Sequence, residues 1–541
     1  MAGTMLGLFT SAMDQTVVGT SMPRIIADLG GFGLFSWVGT GFMLASTATV
    51  PIVGKLTDLY GRKPFYMAGI FLLLLGSALC GSSQNIEQLI AFRVVQGLGA
   101  GMVMGIAFAI LGDVFTPVER GRWAGLMSAV FASASVLGPL IGGTLTDHVH
   151  WRWVFYVNLP LGAIALAVLF FGMPNLRPSQ LTRFDFRGAV LLLATVVPLL
   201  LAFSWAGSRY DWASIQVIGL FAWAALGLTV FTLTELRTDE PLLPMSLFGN
   251  RIFLVAAIVT LISGVGMMGS FFYIPLFVQG VIGASATNSG LVMMPMMVTM
   301  AVSSAIAGQI MSRLGRYRVL GVLGLAAMVA GAYLLSRMDV NATRADVTLA
   351  MIVFGAGLGA SMPLFMLAVQ NAVPYRLMGV STSTMQFLRS VGGTMGVAVL
   401  FSLIQSRYHE GLASNVPDAV RARPELAKLL DDPQRIVDPQ TRQGLHDAFS
   451  QLGDQSEVLF TQTVEGIRES LALAISEAFF LAMGVLAMSV IIAAFMKEIP
   501  LRKGHYMPEE EFVADEFGAA TPGGAAPALR PVAGGAPDAA S

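Results

Sequence analysis

The sequence predicts an all-α polytopic membrane protein with fourteen transmembrane helices, and two observations predict it. Hydrophobic residues make up 55% of the 541 and charged residues only 12%, against roughly 25% charged in an ordinary soluble domain. Runs of about 20 apolar residues, each long enough to cross a hydrocarbon core about 30 Å thick, follow one another between polar punctuation. They fall near residues 3–26, 37–56, 65–82, 88–111, 122–145, 153–172, 187–206, 213–234, 253–279, 287–311, 318–336, 346–369, 380–404 and 471–496.

The first run lacks a basic leader and a small-residue cleavage site, so it reads as a retained helix rather than a signal peptide. With the N-terminus inside, the short loops and helix ends of the inner side carry 17 Lys and Arg. The short loops opposite carry 4, namely Arg152, Arg209, Arg337 and Arg344. This positive-inside bias puts both termini in the cytoplasm of a cell inner or plasma membrane. Segment 405–470 is expected on the outer face, holding short helices. The tail after Lys503 starts acidic (PEEEFVADE) and ends in Ala, Gly and Pro, a composition that buries too little apolar surface to fold.

Other classes are excluded by what the chain lacks. A net charge of −1 argues against nucleic acid, and the single Cys80 precludes an intramolecular disulfide or a cysteine metal cluster. Of the five His, the one close pair, His148 and His150, reads as exposed loop beside Trp151. No GxxxxGK[ST] loop is present, so ATP is not the expected energy source; no cofactor, metal or enzyme activity is expected. The 31 Met and 34 Phe suit a pliable apolar cavity and equally an ordinary membrane core.

The chain repeats itself at a spacing of 254 residues. Gly54, Gly61 and Arg62 of GKLTDLYGR fall on Gly308, Gly315 and Arg316 of GQIMSRLGR. Gly101 and Gly105 fall on Gly355 and Gly359, and Gly125, Gly138 and Gly142 on Gly379, Gly392 and Gly396. Both copies of each loop lie on one membrane side, which requires an even number of helices between them. The implied organisation is a six-helix half over 1–172, two inserted helices with linkers over 173–251, a second six-helix half over 252–496 and a tail over 497–541. Parallel halves of this kind rock about a midplane site.

Within this frame a few residues are anomalous. Asp14 lies in an otherwise apolar or small-residue stretch, where a carboxylate costs about 2.5 to 3.5 kcal/mol on insertion scales. It either titrates or is a structural acid bonded to backbone or to Thr16. The position 254 residues on is Met268, so the charge belongs to one half. Arg93 stands one turn before the Gly97, Gly101, Gly105 stripe; its guanidinium keeps its proton and needs an acceptor, as a static anchor or otherwise. In GKLTDLYGRKP, Gly54, Gly61, Arg62 and Lys63 shape a tight basic turn, and Asp58 is a carboxylate among cations. A salt bridge or a neighbouring helix N-terminus at Asp58 makes the loop a conformational latch. Ser312 replaces Asp58 in the second copy, so any latch is one-sided. Gly138-Pro139 and Gly142-Gly143 present small residues that let a neighbouring helix approach, with a bend at Pro139 absent from the second copy, which has Gly393. Arg24 and Glu477 sit near helix ends, where long side chains reach the interface. Arg389 in MQFLRSVGGTMG lies deeper.

GKLTDLYGRKP resembles the loop signature of the major facilitator superfamily. MDQTVVGTSMP, LIAFRVVQGLGAG (89–101) and SVLGPLIGG (135–143) resemble the first-, fourth- and fifth-helix signatures of its fourteen-helix drug:proton antiporter branch. The resemblance runs from about residue 9 to 496, departing at Ala134 and Gly19, where glycine and asparagine are usual. It implies the major facilitator fold and a proton-coupled exporter, acting as a monomer in the lipid bilayer, of small lipophilic or cationic compounds. It also implies that Arg93 influences proton exchange with Asp14 as partner in titration, that the fifth-helix motif seals one half, and that Arg389 is a second-half feature of the branch. Burial disfavours a charged carboxylate and a nearby guanidinium favours it, so rocking that changes the exposure of Asp14 would alternate its hold on a proton. The alternatives are a dedicated exporter of one metabolite (an antibiotic, siderophore or lipid intermediate), or a non-transporting sensor working through 405–470.

Overall fold

The structure, a computed structural model, describes residues 1–29, 34–115, 117–174, 184–207, 209–284, 286–374, 377–421, 423, 449 and 456–500. Among these residues the chain forms fourteen long helices. They are α1 (Ala2–Leu29), α2 (Phe35–Tyr60), α3 (Arg62–Ser82), α4 (Ile86–Val114), α5 (Pro117–His148), α6 (Trp153–Gly172), α7 (Phe186–Trp205), α8 (Ile215–Glu235), α9 (Arg251–Gly280), α10 (Ala286–Leu314), α11 (Arg318–Ser336), α12 (Arg344–Ala372), α13 (Met378–Asn415) and α14 (Ser456–Ala494). Among the described residues thirteen helices are long and apolar enough to cross a membrane; α1 buries Thr4, Thr10, Ser11, Asp14 and Ser21.

Water is absent from a bilayer core, so helix ends near it need donors and acceptors of their own. Asn85, Asp185, Ser214, Asn250 and Thr343 supply them, each accepting a backbone N–H in the first turn of α4, α7, α8, α9 or α12. The side facing outward from the bundle is apolar. Phe171, Ile215 and Phe186 are 86%, 83% and 75% exposed, which suits a hydrocarbon solvent and not water.

Two sets of contacts repeat. In one, α1 packs on α4, α5 and α6, with α3 on α4 and α6 and α2 on α4; in the other, α9 packs on α12, α13 and α14, with α11 on α12 and α14 and α10 on α12. The sets meet through α2 against α13 and α10 against α5, while α7 and α8 pair with each other and α7 leans on α2 and α13. Glycines set the close crossings. A side chain at Gly97 or Gly101 would fall 2.5 or 2.3 Å from the Phe42 or Ser46 carbonyl oxygen of α2. Gly355 and Gly359 of α12 meet Met296 and Met300 of α10 the same way.

This gives a paired prediction. Gly101→Ala places a methyl against Ser46 backbone and is expected to destabilise by about 1–3 kcal/mol through overpacking. Gly143→Ala has nothing within 4 Å of the new methyl and is expected within about 0.5 kcal/mol of wild type. Thermal unfolding of the two variants in detergent checks the difference.

Several helix bounds differ from the hydropathy reading. Helix α13 runs on to Asn415 and α14 starts at Ser456, so both flanks of segment 405–470 are continuous helix. Gly411 packs on Ser470 and Gly466 on Asn415, which holds the two extensions together. Arg407 pairs with Glu477 at 2.7 Å, so Glu477 has an ionic partner as well as its interfacial position. Beyond them a short helix spans Asp418–Arg421; the rest of the segment, and the tail from residue 501, lie outside the described residues.

Candidate functional site

Asp14 is fully buried where α1, α3, α4 and α6 converge, and it is bonded on both oxygens. Arg93 Nη1 donates to Asp14 Oδ2 at 2.8 Å, while Gln96 Nε2 and Asn158 Nδ2 donate to Oδ1 at 2.7 and 2.8 Å. Gln96 also accepts from Arg93 Nη1 at 2.7 Å and donates to Ser77 Oγ at 2.7 Å. The guanidinium stacks 4.1 Å from the Phe42 ring centroid. Thr16, a suggested partner for the acid, instead donates to the Met13 carbonyl at 3.1 Å. Burial disfavours the charged form of this carboxylate, while its three donors and the Arg93 counter-charge favour it. Adding a proton removes the counter-charge of Arg93 and one acceptor position, so protonation and the state of Arg93 are linked.

Arg93 forms part of the wall of a central cavity of about 530 Å³. Asp14 lies one layer behind it, while Gln15, Phe42 and Met104 face the space directly. Opposite, on α13, stand Gln386, Arg389 and Ser390. Among the described lining residues there are two arginines and no Asp or Glu.

One end of the bundle is closed between the two contact sets. Asp58, in the last turn of α2, accepts from the backbone N–H groups of Gly379 and Val380 at 3.0 and 2.8 Å. These are among the first donors of α13, whose own N-cap is Leu377 with no side chain to serve them. Arg62 holds the same carboxylate at 2.5 Å and Asp113 of α4 at 2.9 Å. Gly54 lets Ser383 close in, since any side chain there would overlap the Ser383 hydroxyl. Gly61 makes the one-residue α2–α3 turn at φ 94°, a left-handed conformation natural to glycine. Further contacts at this end are Gln370 Nε2 to the Phe108 carbonyl, 3.1 Å, and Gly125 against Ala305. Toward the other end, Gly19 and Gly39 line the cavity with open space beside them.

Two residues expected to act in these motifs, Lys63 and Gly143, make other contacts. Lys63 does not reach across; it donates to the carbonyls of Phe170 and Met173 at 2.8 and 2.6 Å, tying α3 to the end of α6. Of the fifth-helix glycines, Gly138 meets Thr16 of α1 and the Gly142 carbonyl accepts from Ser21 at 3.4 Å, whereas Gly143 faces open space and serves no close approach. The side chain of Pro139 lies outside the described atoms. Ser312, at the position repeating Asp58, donates to the Gln309 carbonyl of its own helix. Gln96, Ser77 and Asn158 were not singled out from sequence. Gln96 had a readable signal, since it lies three residues after Arg93 and so on the same helix face.

Residues 4–397, which include the Asp14 cluster, the Asp58 contacts and Arg389, match the family model of the Major Facilitator Superfamily. The chain belongs to the Major Facilitator Superfamily. It is 35% identical over 519 residues to the multidrug transporter protein MdtP of Bacillus subtilis (strain 168), covering 95% of this chain and 96% of that protein. It is 38% identical over 449 residues to multidrug resistance protein 3 of the same organism, covering 83% and 87%. Among solved structures, the human organic anion transporter MFSD10 superposes with a TM-score of 0.57 over 90% of this chain and 98% of that one. At 15% identity that likeness speaks for the fold alone. The all-helical multi-pass architecture agrees with that family.

Proposed function

We propose that this facilitator is a proton-coupled exporter of small lipophilic compounds, an antiporter in which Asp14 and Arg93 carry the coupling. The observation that carries this reading is the Asp14–Arg93 pair, buried yet forming one wall of the cavity through Arg93. The named relatives, multidrug proteins of similar length, support efflux as the direction. In this reading the Gly61 end is cytoplasmic, with both termini on that side, and the protein works as a monomer in the cell inner or plasma membrane. The halves 1–172 and 252–496 rock about the cavity, and the structure corresponds to the state closed toward the cytoplasm.

The cycle follows from charge. With the cavity open outward, water reaches Arg93 and a proton passes to Asp14. Loss of the anion weakens the hold of Arg93 and the polar cluster rearranges, favouring the other conformation. Inward opening lets the proton leave and the lipophilic compound enter. A cation class of substrate, part of the sequence-based expectation, is dropped here: the described lining residues offer a cation no carboxylate and include two guanidinium groups.

The experiment is transport by purified protein in proteoliposomes with an imposed pH gradient, using a fluorescent lipophilic dye. Dye accumulation driven by the gradient, and abolished by a protonophore, is the expected outcome. Accumulation that ignores the gradient contradicts proton coupling.

A further inference from the structure

We infer that the substrate carries a negative charge: the geometry points to a lipophilic organic anion whose acidic group docks on Arg389. The inference deepens the proposed function and rests on its reading of the cavity as the substrate site.

Arg389 sits on α13, 6% exposed, on the cavity wall. Its hydrogen-bond partner is the side-chain oxygen of Gln386 at 3.0 Å, which engages one of the five N–H donors a guanidinium presents. Among the described residues no carboxylate pairs with it. The contrast with Arg93 is instructive, because that guanidinium is matched by Asp14, by Gln96 and by the Phe42 face. Arg389 has been placed at a similar depth and left without a counter-charge. A guanidinium cannot shed its proton to relieve burial, so a buried one is stabilised by an anion or by water.

The remainder of the wall fixes the other half of the chemistry. Phe42, Phe131, Phe272, Met22 and Met268 present aromatic and thioether surface, which takes an apolar body without demanding one shape. The side-chain amide of Gln386, whose oxygen accepts from Arg389, has N–H groups able to serve a remaining lone pair of a carboxylate or phosphate. With Asp14 spoken for by Arg93, the cavity holds a net positive charge in this state. A cationic ligand would add to it, a neutral one would leave it, and an anion cancels it. A free organic acid and the headgroup of an acidic lipid share this chemistry.

The test uses three probes of one shape: 4-(1-pyrene)butyrate, the corresponding amide and the corresponding amine. Their binding to the full-length protein in a neutral detergent is read by tryptophan-to-pyrene energy transfer. Wild type is expected to bind the carboxylate at least tenfold more tightly than the amide, and the amine most weakly. Arg389→Gln is expected to erase the carboxylate preference and Arg389→Lys to restore most of it, with unfolding temperatures recorded for each. Tighter binding of the amine than of the carboxylate by wild type overturns the inference whatever the variants do, as does an undiminished carboxylate preference in a folded Arg389→Gln. Displacement of the bound carboxylate by a short-chain phosphatidylglycerol assigns the site to lipid headgroups, and lack of displacement assigns it to free organic acids; both keep the anion. No proton gradient enters this measurement, so its failure is separable from failure of the coupling mechanism.

Discussion

Asp14→Asn is expected to abolish uphill accumulation of substrate while leaving downhill flux measurable. The substitution keeps the shape of the side chain and removes its ability to ionise. It also leaves Arg93 buried without its counter-charge, and breaking one side of such a pair costs about 3–5 kcal/mol. Loss of activity alone would therefore be ambiguous between a titrating acid and a structural anchor. The double variant Asp14→Asn with Arg93→Gln separates them, because removing both charges together is often close to neutral for stability. The expected pattern is a lowered unfolding temperature for the single variant, recovery for the double one, and no gradient-driven accumulation in either. A stable double variant that still accumulates substrate against its gradient would make the pair an anchor.

The second large effect is expected at Asp58. Its carboxylate bridges Arg62 and the first N–H groups of α13, so it joins the two helix sets at the closed Gly61 end. Hydrogen bonds to a charged group are worth about 1.5–3 kcal/mol each, and a helix N-terminus adds up to about 1 kcal/mol for an anion there. Asp58→Asn gives up the charge and part of the acceptor capacity, which should move the equilibrium between end-closed and end-open states by roughly 10- to 100-fold, the factor that 1.5–3 kcal/mol sets. Spin labels at Tyr60 and Leu314, which are 43% and 66% exposed in the last turns of α2 and α10, one from each contact set, report it by pulsed electron spectroscopy. The sole cysteine, Cys80, is buried and interferes little with labelling. Wild type is expected to show the short distance and Asp58→Asn a longer one as the main population. An unchanged distance distribution would mean that Asp58 caps a helix without biasing the conformation.

Much of this was legible in the sequence because a bilayer makes charge expensive. Apolar length alone yields the helix count, and an acid or guanidinium in such a run announces itself, as Asp14, Arg93 and Arg389 do. Uncharged polar residues carry no such signal. Ser77 and Asn158 look like many other polar residues in helices, and only the packing of α3 and α6 against α1 reveals them as partners of Asp14. Side-chain direction is equally hidden. Lys63 follows Arg62 directly, yet one step of about 100° around a helix sends it to the end of α6 while Arg62 faces Asp58 and Asp113. Gly142 and Gly143 divide in the same manner, one toward α1 and the other toward open space. The extended ends of α13 and α14 escape a hydropathy reading because their sequences turn polar where the helices leave the bilayer, while Gly411 and Gly466 keep them in contact.

The central claim is that protons move against substrate through the state of Asp14. Its most direct test is the lumenal pH of proteoliposomes, followed with a trapped dye as substrate flows down its own gradient with no pH gradient imposed. The account predicts that wild type drives protons in the opposite direction in step with substrate, and that the stable Asp14→Asn, Arg93→Gln variant moves substrate with no pH change. Substrate flux in wild type without proton movement, or with protons travelling alongside the substrate, would contradict it.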